Sequence, residues 1–153
     1  MLSLSLPDIA ATSRLAQALA SHCAPGDVIL LRGPLGAGKT TFADAFAQAL
    51  GAGPATSPTF VIAHWYPRGR IPVWHLDLYR LSDPQSVEEL DLDQYLHPDA
   101  ITLVEWPERA GDAWPAHSLE IEFMLHEGAR SATLRGSERA RSLAARLAAI
   151  ASP

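Results

Sequence analysis

The stretch Gly33-Pro34-Leu35-Gly36-Ala37-Gly38-Lys39-Thr40 constrains this chain more than any other. It follows the apolar run Val28-Ile29-Leu30-Leu31 and opens an amphipathic segment from Lys39 to Leu50. It matches Gly-x-x-x-x-Gly-Lys-Ser/Thr, the pattern of a phosphate-binding loop (P-loop). In such a loop glycines let backbone N–H groups turn inward around phosphates. The lysine reaches the β and γ oxygens, and the hydroxyl, here that of Thr40, ligates magnesium. A buried strand entering the loop and a helix leaving it are the supports this pattern needs, so the segment predicts a nucleoside triphosphate site. The bland alternative is a glycine-rich turn with no ligand.

A chain of 153 residues has the size of one domain and can bury roughly 68–70% of its unfolded surface. One core over residues 1–153 is therefore expected, without covalent staples. The formal net charge of −5 argues against a broad electrostatic footprint on nucleic acid. Any dealing with RNA is then expected to be indirect. The single cysteine, Cys23, cannot form an intrachain disulfide or a cysteine metal cluster, and it reads as a core or helix-end residue. His22, His64, His75, His97, His117 and His126 show no paired ligand spacing, so no zinc site is expected. The N-terminus alternates like a strand and lacks the basic start and apolar block of a signal peptide; with no membrane span either, the expected location is the cytoplasm.

Apolar periodicity predicts a strand over Leu2 to Leu6 and a helix through Leu15, Ala16, Leu19 and Cys23 after a cap at Thr12 or Ser13. Val28 to Leu31 is continuously apolar, as a central strand buried on both faces should be. Phe60 to Trp65 and Ile71 to Leu78, joined by Pro67-Arg68-Gly69-Arg70, read as a hairpin. Ser82-Asp83-Pro84 starts a short helix running to about Leu90, with Gln85 and Glu89 reaching back to Ser82 and Ser86 as capping-box partners. Strands follow at Ala100 to Val104, Leu119 to Leu125 and Ala132 to Leu134, the last two separated by Glu127-Gly128. A final helix carries Ala140, Leu143, Ala144, Leu147 and Ile150 on one side. The expected fold class is α/β: a single-domain P-loop NTPase fold with a mixed β-sheet flanked by helices.

Hydrolysis or transfer of a phosphoryl group also needs an acid near the magnesium, delivered from the end of an apolar strand. Ile101-Thr102-Leu103-Val104-Glu105 has the stronger grammar and Val73-Trp74-His75-Leu76-Asp77 is second. The structural alternative pairs either acid with a surface arginine such as Arg80 or Arg109. Ser57-Pro58-Thr59 stands where nucleotide switches place a sensing hydroxyl, or is an ordinary turn. Trp65 and Trp74 suit core strands, whereas Trp106, beside Pro107, suits either core or an exposed contact.

Four blocks in order, GPLGAGKTT (Gly33 to Thr41), SPTF (Ser57 to Phe60), HLDLYRL (His75 to Leu81) and VEWPER (Val104 to Arg109), resemble the TsaE family, also called YjeE, of small bacterial P-loop ATPases. The resemblance runs from about Leu6 to Leu147. It implies a role in making threonylcarbamoyladenosine next to the anticodon of tRNA, with ATP bound and slowly hydrolysed while the subunit is docked on a pair of TsaB and TsaD proteins. TsaD would perform the transfer and the ATPase would reset the complex. Carried over by position, the resemblance implies that Gly33 and Gly36, Ala37, Gly38 and Lys39 cradle phosphate. Thr40 would ligate magnesium, Thr41 would add a phosphate contact, Glu105 would be the metal-associated acid and Asp77 the acid for hydrolysis. Thr59 would be the switch, and Trp106 a nucleotide or partner contact. Asp8-Ile9 and Gly128 to Arg130 resemble segments flanking the nucleotide. Lys39, Asp77 and Thr59 are thus the expected catalytic residues.

Two departures stand out. Pro34 occupies a position where the family often has Asp, and the phosphate cradle does not require that side chain. Asp91 occupies a position where glycine is frequent, which bears on a helix end. Rival readings are a small-molecule kinase, disfavoured by the short chain and the lack of an arginine-rich lid, and a nucleotide-dependent binding switch with negligible turnover. Arg80, Arg109 and Arg130 are the candidate arginines for stabilising the transition state in cis. ATP is preferred to GTP on the resemblance and on the absence of an Asn-Lys-x-Asp guanine-reading motif.

Overall fold

Four consecutive apolar residues leave Val28–Arg32 with no polar face, and the fold uses this strand (β2) as its centre. In the computed structural model, which describes residues 1–53 and 62–151, the strands before and after it are β1 (Leu2–Leu6), β3 (Ala63–Tyr66), β4 (Val73–Asp77), β5 (Ile101–Glu105), β6 (Leu119–His126) and β7 (Ala129–Gly136). The helices are α1 (Ile9–Ala20), α2 (Lys39–Ala49), α3 (Pro84–Glu89) and α4 (Glu138–Ala151). The seven described strands form one sheet in the order β1-β7-β6-β2-β5-β4-β3. β2 pairs in parallel with β5 and β6, and β5 in parallel with β4. The outer pairs β3·β4, β6·β7 and β1·β7 are antiparallel. The mixed α/β sheet flanked by helices is the expected class.

The two faces are covered differently. Ile29, Leu31, Leu103, Ile121 and Phe123 point to the face packed by α1, α2 and α4, where Phe42 stacks on Phe46 at 6.1 Å and meets Phe123 edge-on at 5.7 Å. Truncating a fully buried phenylalanine of this kind costs about 3–5 kcal/mol. Val28, Leu30, Leu76 and Val104 point the other way, against Val87 and Leu90 at α3 and against short 3-10 turns at Leu92–Gln94 and Pro107–Ala110. Leu143, Ala144 and Leu147 bury the expected face of α4.

Local signals shift some boundaries. Asp8, not Thr12 or Ser13, caps α1: its Oδ1 accepts from the Ala11 amide at 2.7 Å. A carboxylate at the N-cap reaches the free amide three residues on, which hydroxyls already inside the helix cannot do, and Thr12 is instead buried. Cys23 lies just past α1, its amide bonded to the Leu19 carbonyl at 3.1 Å. Asp83 caps α3 by accepting from the Ser86 amide at 2.8 Å and the Ser86 hydroxyl at 3.0 Å. That leaves no capping box, and Gln85 donates to Glu89 instead. Trp65 and Trp74 are half-buried rather than core, with rings 4.6 Å apart. Asp91 adopts the left-handed conformation at φ +48° just after α3, which accounts for glycine's suitability at that position.

Candidate nucleotide site

The parallel strands β2, β4 and β5 all end at the same edge, and the chain leaving β2 crosses over that edge into α2. Gly33 makes the crossing possible: at φ +136° a Cβ would lie 2.4 Å from the backbone oxygen of Phe123. Gly36 differs, with φ +77° and open space where its Cβ would be. Gly38 is the N-cap of α2 and offers no side-chain cap to the helix. The first amides of that helix, with the positive end of its dipole, are thus left for an external anion.

Lys39 is only 4% exposed. Its ammonium donates to the carbonyls of Gly33 and of Pro34, the latter at 2.9 Å, and lies 4.3 Å from the centre of the Trp106 ring. Burial pulls its pKa down, while the carboxylates of Glu105, Glu108 and Asp77 push it back up. The next residue, Thr40, donates its hydroxyl to the Glu105 carboxylate, with oxygens at 3.0 and 3.1 Å. Glu105 is 3% exposed at the end of β5. His75 of β4 approaches the same carboxylate, Nε2 to Oε1, at 2.9 Å.

Asp77 is the register partner of Glu105 across β4·β5, so the two acids end adjacent strands on one face of the sheet. Asp77 is half-buried and accepts from the Tyr79 amide at 3.1 Å. Among the described residues neither acid is ion-paired with Arg80 or Arg109, the structural alternative raised above. Arg109 instead lies 5.9 Å from the ring centres of both Tyr79 and Trp106. Trp106 adopts φ +58°, an uncommon conformation for an aromatic residue, and it turns the chain so that the indole sits 4.9 Å from the Tyr79 ring.

These groups surround a cleft of about 240 Å³. Gly36, Gly38, Lys39, Thr40 and Thr41 of the loop and α2 line it, with Asp77, Glu105 and Trp106 from the ends of β4 and β5, and Ile9 and Arg130 from α1 and β7. Gly33 and Ala37 support the loop from behind; the Ala37 amide donates to the Pro34 carbonyl at 3.2 Å. The Nε of Arg130 is buried and has no hydrogen-bond partner among the described residues. The switch candidate Thr59, with the rest of Ser57 to Phe60, lies outside the described residues. Sequence reading passed over three cleft residues, Thr12, Leu35 and Tyr79. His75, set aside above as no zinc ligand, lies two residues before Asp77, which puts both side chains on one face of β4.

The residues fit a nucleotide triphosphate with magnesium. A helix start without a side-chain cap, a lysine, and an arginine whose Nε has no partner among the described residues suit phosphates. One hydroxyl and one carboxylate suit magnesium, which is usually held by one or two protein oxygens plus phosphates and water. Among the described residues no three His, Cys, Asp or Glu side chains cluster as an all-protein cage would require, and no helix is long and apolar enough to cross a membrane.

Comparison with known proteins shows the family of the chain. Residues 6–132 match the family model described as "Threonylcarbamoyl adenosine biosynthesis protein TsaE". A Bacillus subtilis protein named tRNA threonylcarbamoyladenosine biosynthesis protein TsaE is 42% identical over 111 residues, covering 72% of this chain and 69% of that protein. Proteins of the same name from Synechocystis and Mycobacterium bovis are 47% identical over 109 residues (68% and 69% covered) and 40% identical over 141 residues (84% and 83% covered). The crystal structure of Bacillus subtilis YdiB superposes with a TM-score of 0.81 at 31% identity, covering 99% of this chain and 96% of that one. With its matched segment containing the loop and both acids, the chain belongs to the TsaE family of threonylcarbamoyl adenosine biosynthesis proteins.

Proposed function

We propose that this protein serves the biosynthesis of threonylcarbamoyladenosine on tRNA as a magnesium-dependent ATPase acting on a TsaB–TsaD complex in the cytoplasm. The observation that carries this reading is the pair of register-matched acids, Asp77 and Glu105, lining one cleft with Lys39 and with Thr40, which Glu105 contacts directly. Gly36 to Lys39 and Thr41 hold the phosphates of ATP, and Trp106 and Arg130, which line the same cleft, contact the nucleotide. Thr40 and Glu105 hold magnesium. That ion, when bound, neutralises phosphate charge. Asp77, the more solvated acid, orients a water toward the γ-phosphorus and accepts its proton as the new P–O bond forms and the bond to ADP breaks. Lys39 leaves the carbonyls of Gly33 and Pro34 for the phosphate oxygens, exchanging two neutral acceptors for charged ones. Thr59 reports nucleotide state to the partner.

The net charge of −5 supports an indirect relation to tRNA, through protein partners. The test is phosphate release from Mg-ATP by the purified protein, alone and with TsaB and TsaD. Stimulation by the pair that disappears in Lys39→Ala supports the reading. Failure to bind ATP or to respond to either partner overturns it.

A further inference from the structure

We infer that His75 is the positioning residue for Glu105: its Nε2–H holds one carboxylate oxygen so that the other, with the Thr40 hydroxyl, is presented to a divalent cation. This rests on the reading of Glu105 as the metal-associated acid. Both partners are buried, His75 at 6% and Glu105 at 3% exposure, and a carboxylate taken out of water requires donors. Two reach it. Thr40 Oγ1 lies 3.0 Å from Oε1 and 3.1 Å from Oε2, and His75 Nε2 lies 2.9 Å from Oε1. A hydroxyl carries a single proton, so Thr40 satisfies one oxygen at a time. Of the two donors, then, His75 is the one that can stay on Oε1 while Thr40 and Oε2 turn to another ligand.

The ring itself is held in place. His75 pairs with Leu103 across β4·β5 and with His64 across β3·β4. The His64 ring lies 5.9 Å away at a 34° tilt. His75 is not among the residues lining the cleft, which Asp77 and Glu105 do line. Its effect on a bound ion therefore passes through Glu105. Removal of an outer-shell partner of this kind typically lowers metal affinity 10–100-fold.

The experiment titrates magnesium against binding of a fluorescent ADP analogue, with parallel binding in EDTA and a circular-dichroism check of folding. His75→Gln keeps an amide N–H near the place of Nε2, His75→Asn is too short to reach Glu105, and His75→Leu has no donor. The magnesium midpoint is expected to rise about 10-fold or more in His75→Leu and His75→Asn, to stay within about 3-fold of wild type in His75→Gln, and binding in EDTA is expected to be unchanged in all three. If His75→Leu fails to fold, the contrast between Gln and Asn carries the test. Equal midpoints in wild type and the donor-free variant, or equal losses in Gln and Asn, overturn the inference and leave the nucleotide site standing. A wild-type protein whose nucleotide binding ignores magnesium overturns the reading of Glu105, and this inference with it.

Discussion

The two ends of the parallel strands bury polar chemistry in opposite ways. At the amino end, Asp27 accepts from the Ala24 amide at 2.8 Å and from Arg139 at 3.0 Å, and the thiol of Cys23 sits beside it, its pKa pushed up to about 12 chiefly by burial. Each group there is tied to a neighbour, and the space left beside them is about 10 Å³, too small for more than a water. At the carboxyl end Lys39 and Glu105 are withdrawn from solvent too, but with the exposed Thr40 they border a cleft of about 240 Å³. Burial of polar groups is thus no mark of function by itself. What distinguishes the carboxyl end is that its pairs can exchange partners with something entering the cleft, and that the Nε of Arg130 has no partner among the described residues. Ligands of open α/β sheets favour this edge because helix starts and strand ends converge there.

The sharpest break of this comparison is Glu105→Ala, expected to lower magnesium-dependent phosphate release about 100-fold or more while nucleotide binding in EDTA persists. Lys39→Ala should lower both. Wild-type turnover in the two variants would sink the site assignment. Next is Asp77→Asn: about 100-fold slower phosphate release, with nucleotide affinity held and urea stability within about 0.5 kcal/mol of wild type, since this acid is only half-buried. A large stability loss would show that Asp77 is architectural.

Glycine substitutions separate the ends by stability. Gly33→Ala drives a Cβ to 2.4 Å from Phe123 O, whereas Gly26→Ala, at φ +89°, meets nothing closer than Pro98 O at 3.4 Å. Urea unfolding should register about 2–3 kcal/mol for Gly33→Ala and about 1 kcal/mol for Gly26→Ala, with nucleotide binding impaired in the first alone. The reverse order would mean that the amino end is the tighter one. The smallest effect concerns pH. The Cys23 thiol has its pKa raised from 9.0 to about 12 in the fold, so the unfolded chain ionises first. The associated stability is complete below pH 9 and declines as pH climbs toward 12. Between pH 8 and pH 10 the protein should lose about 1 kcal/mol that Cys23→Ala retains; parallel pH profiles of the two would discount burial of the thiol.

Much of the fold was legible because its signals are local. The run Val28 to Leu31, the Lys39 to Leu50 periodicity and the alternation around Leu119 to Leu125 each specify an element by side-chain spacing alone. The loop residues were legible for the same reason, since their chemistry lies within eight positions of one another. Cap identity was less so: Asp8 and Asp83 compete with nearby hydroxyls, and the winner depends on which oxygen reaches a free amide. His75 was invisible as a partner of Glu105 because thirty residues separate them and only β4·β5 register brings them to 2.9 Å.

The sequence by itself determined the phosphate-loop pattern, the strand–loop–helix around it, the two acid-ended strands and the family. All of these are read from residue type at short spacing. The tertiary structure alone decided that Asp77 and Glu105 stand side by side, that Thr12 and Tyr79 line the same cleft, and that Cys23 and Asp27 meet at the far end. Those outcomes depend on strand order and register. In a sheet with a side-chain period of two, slipping β4 by one residue would turn Asp77 and His75 to the opposite face and leave Glu105 alone.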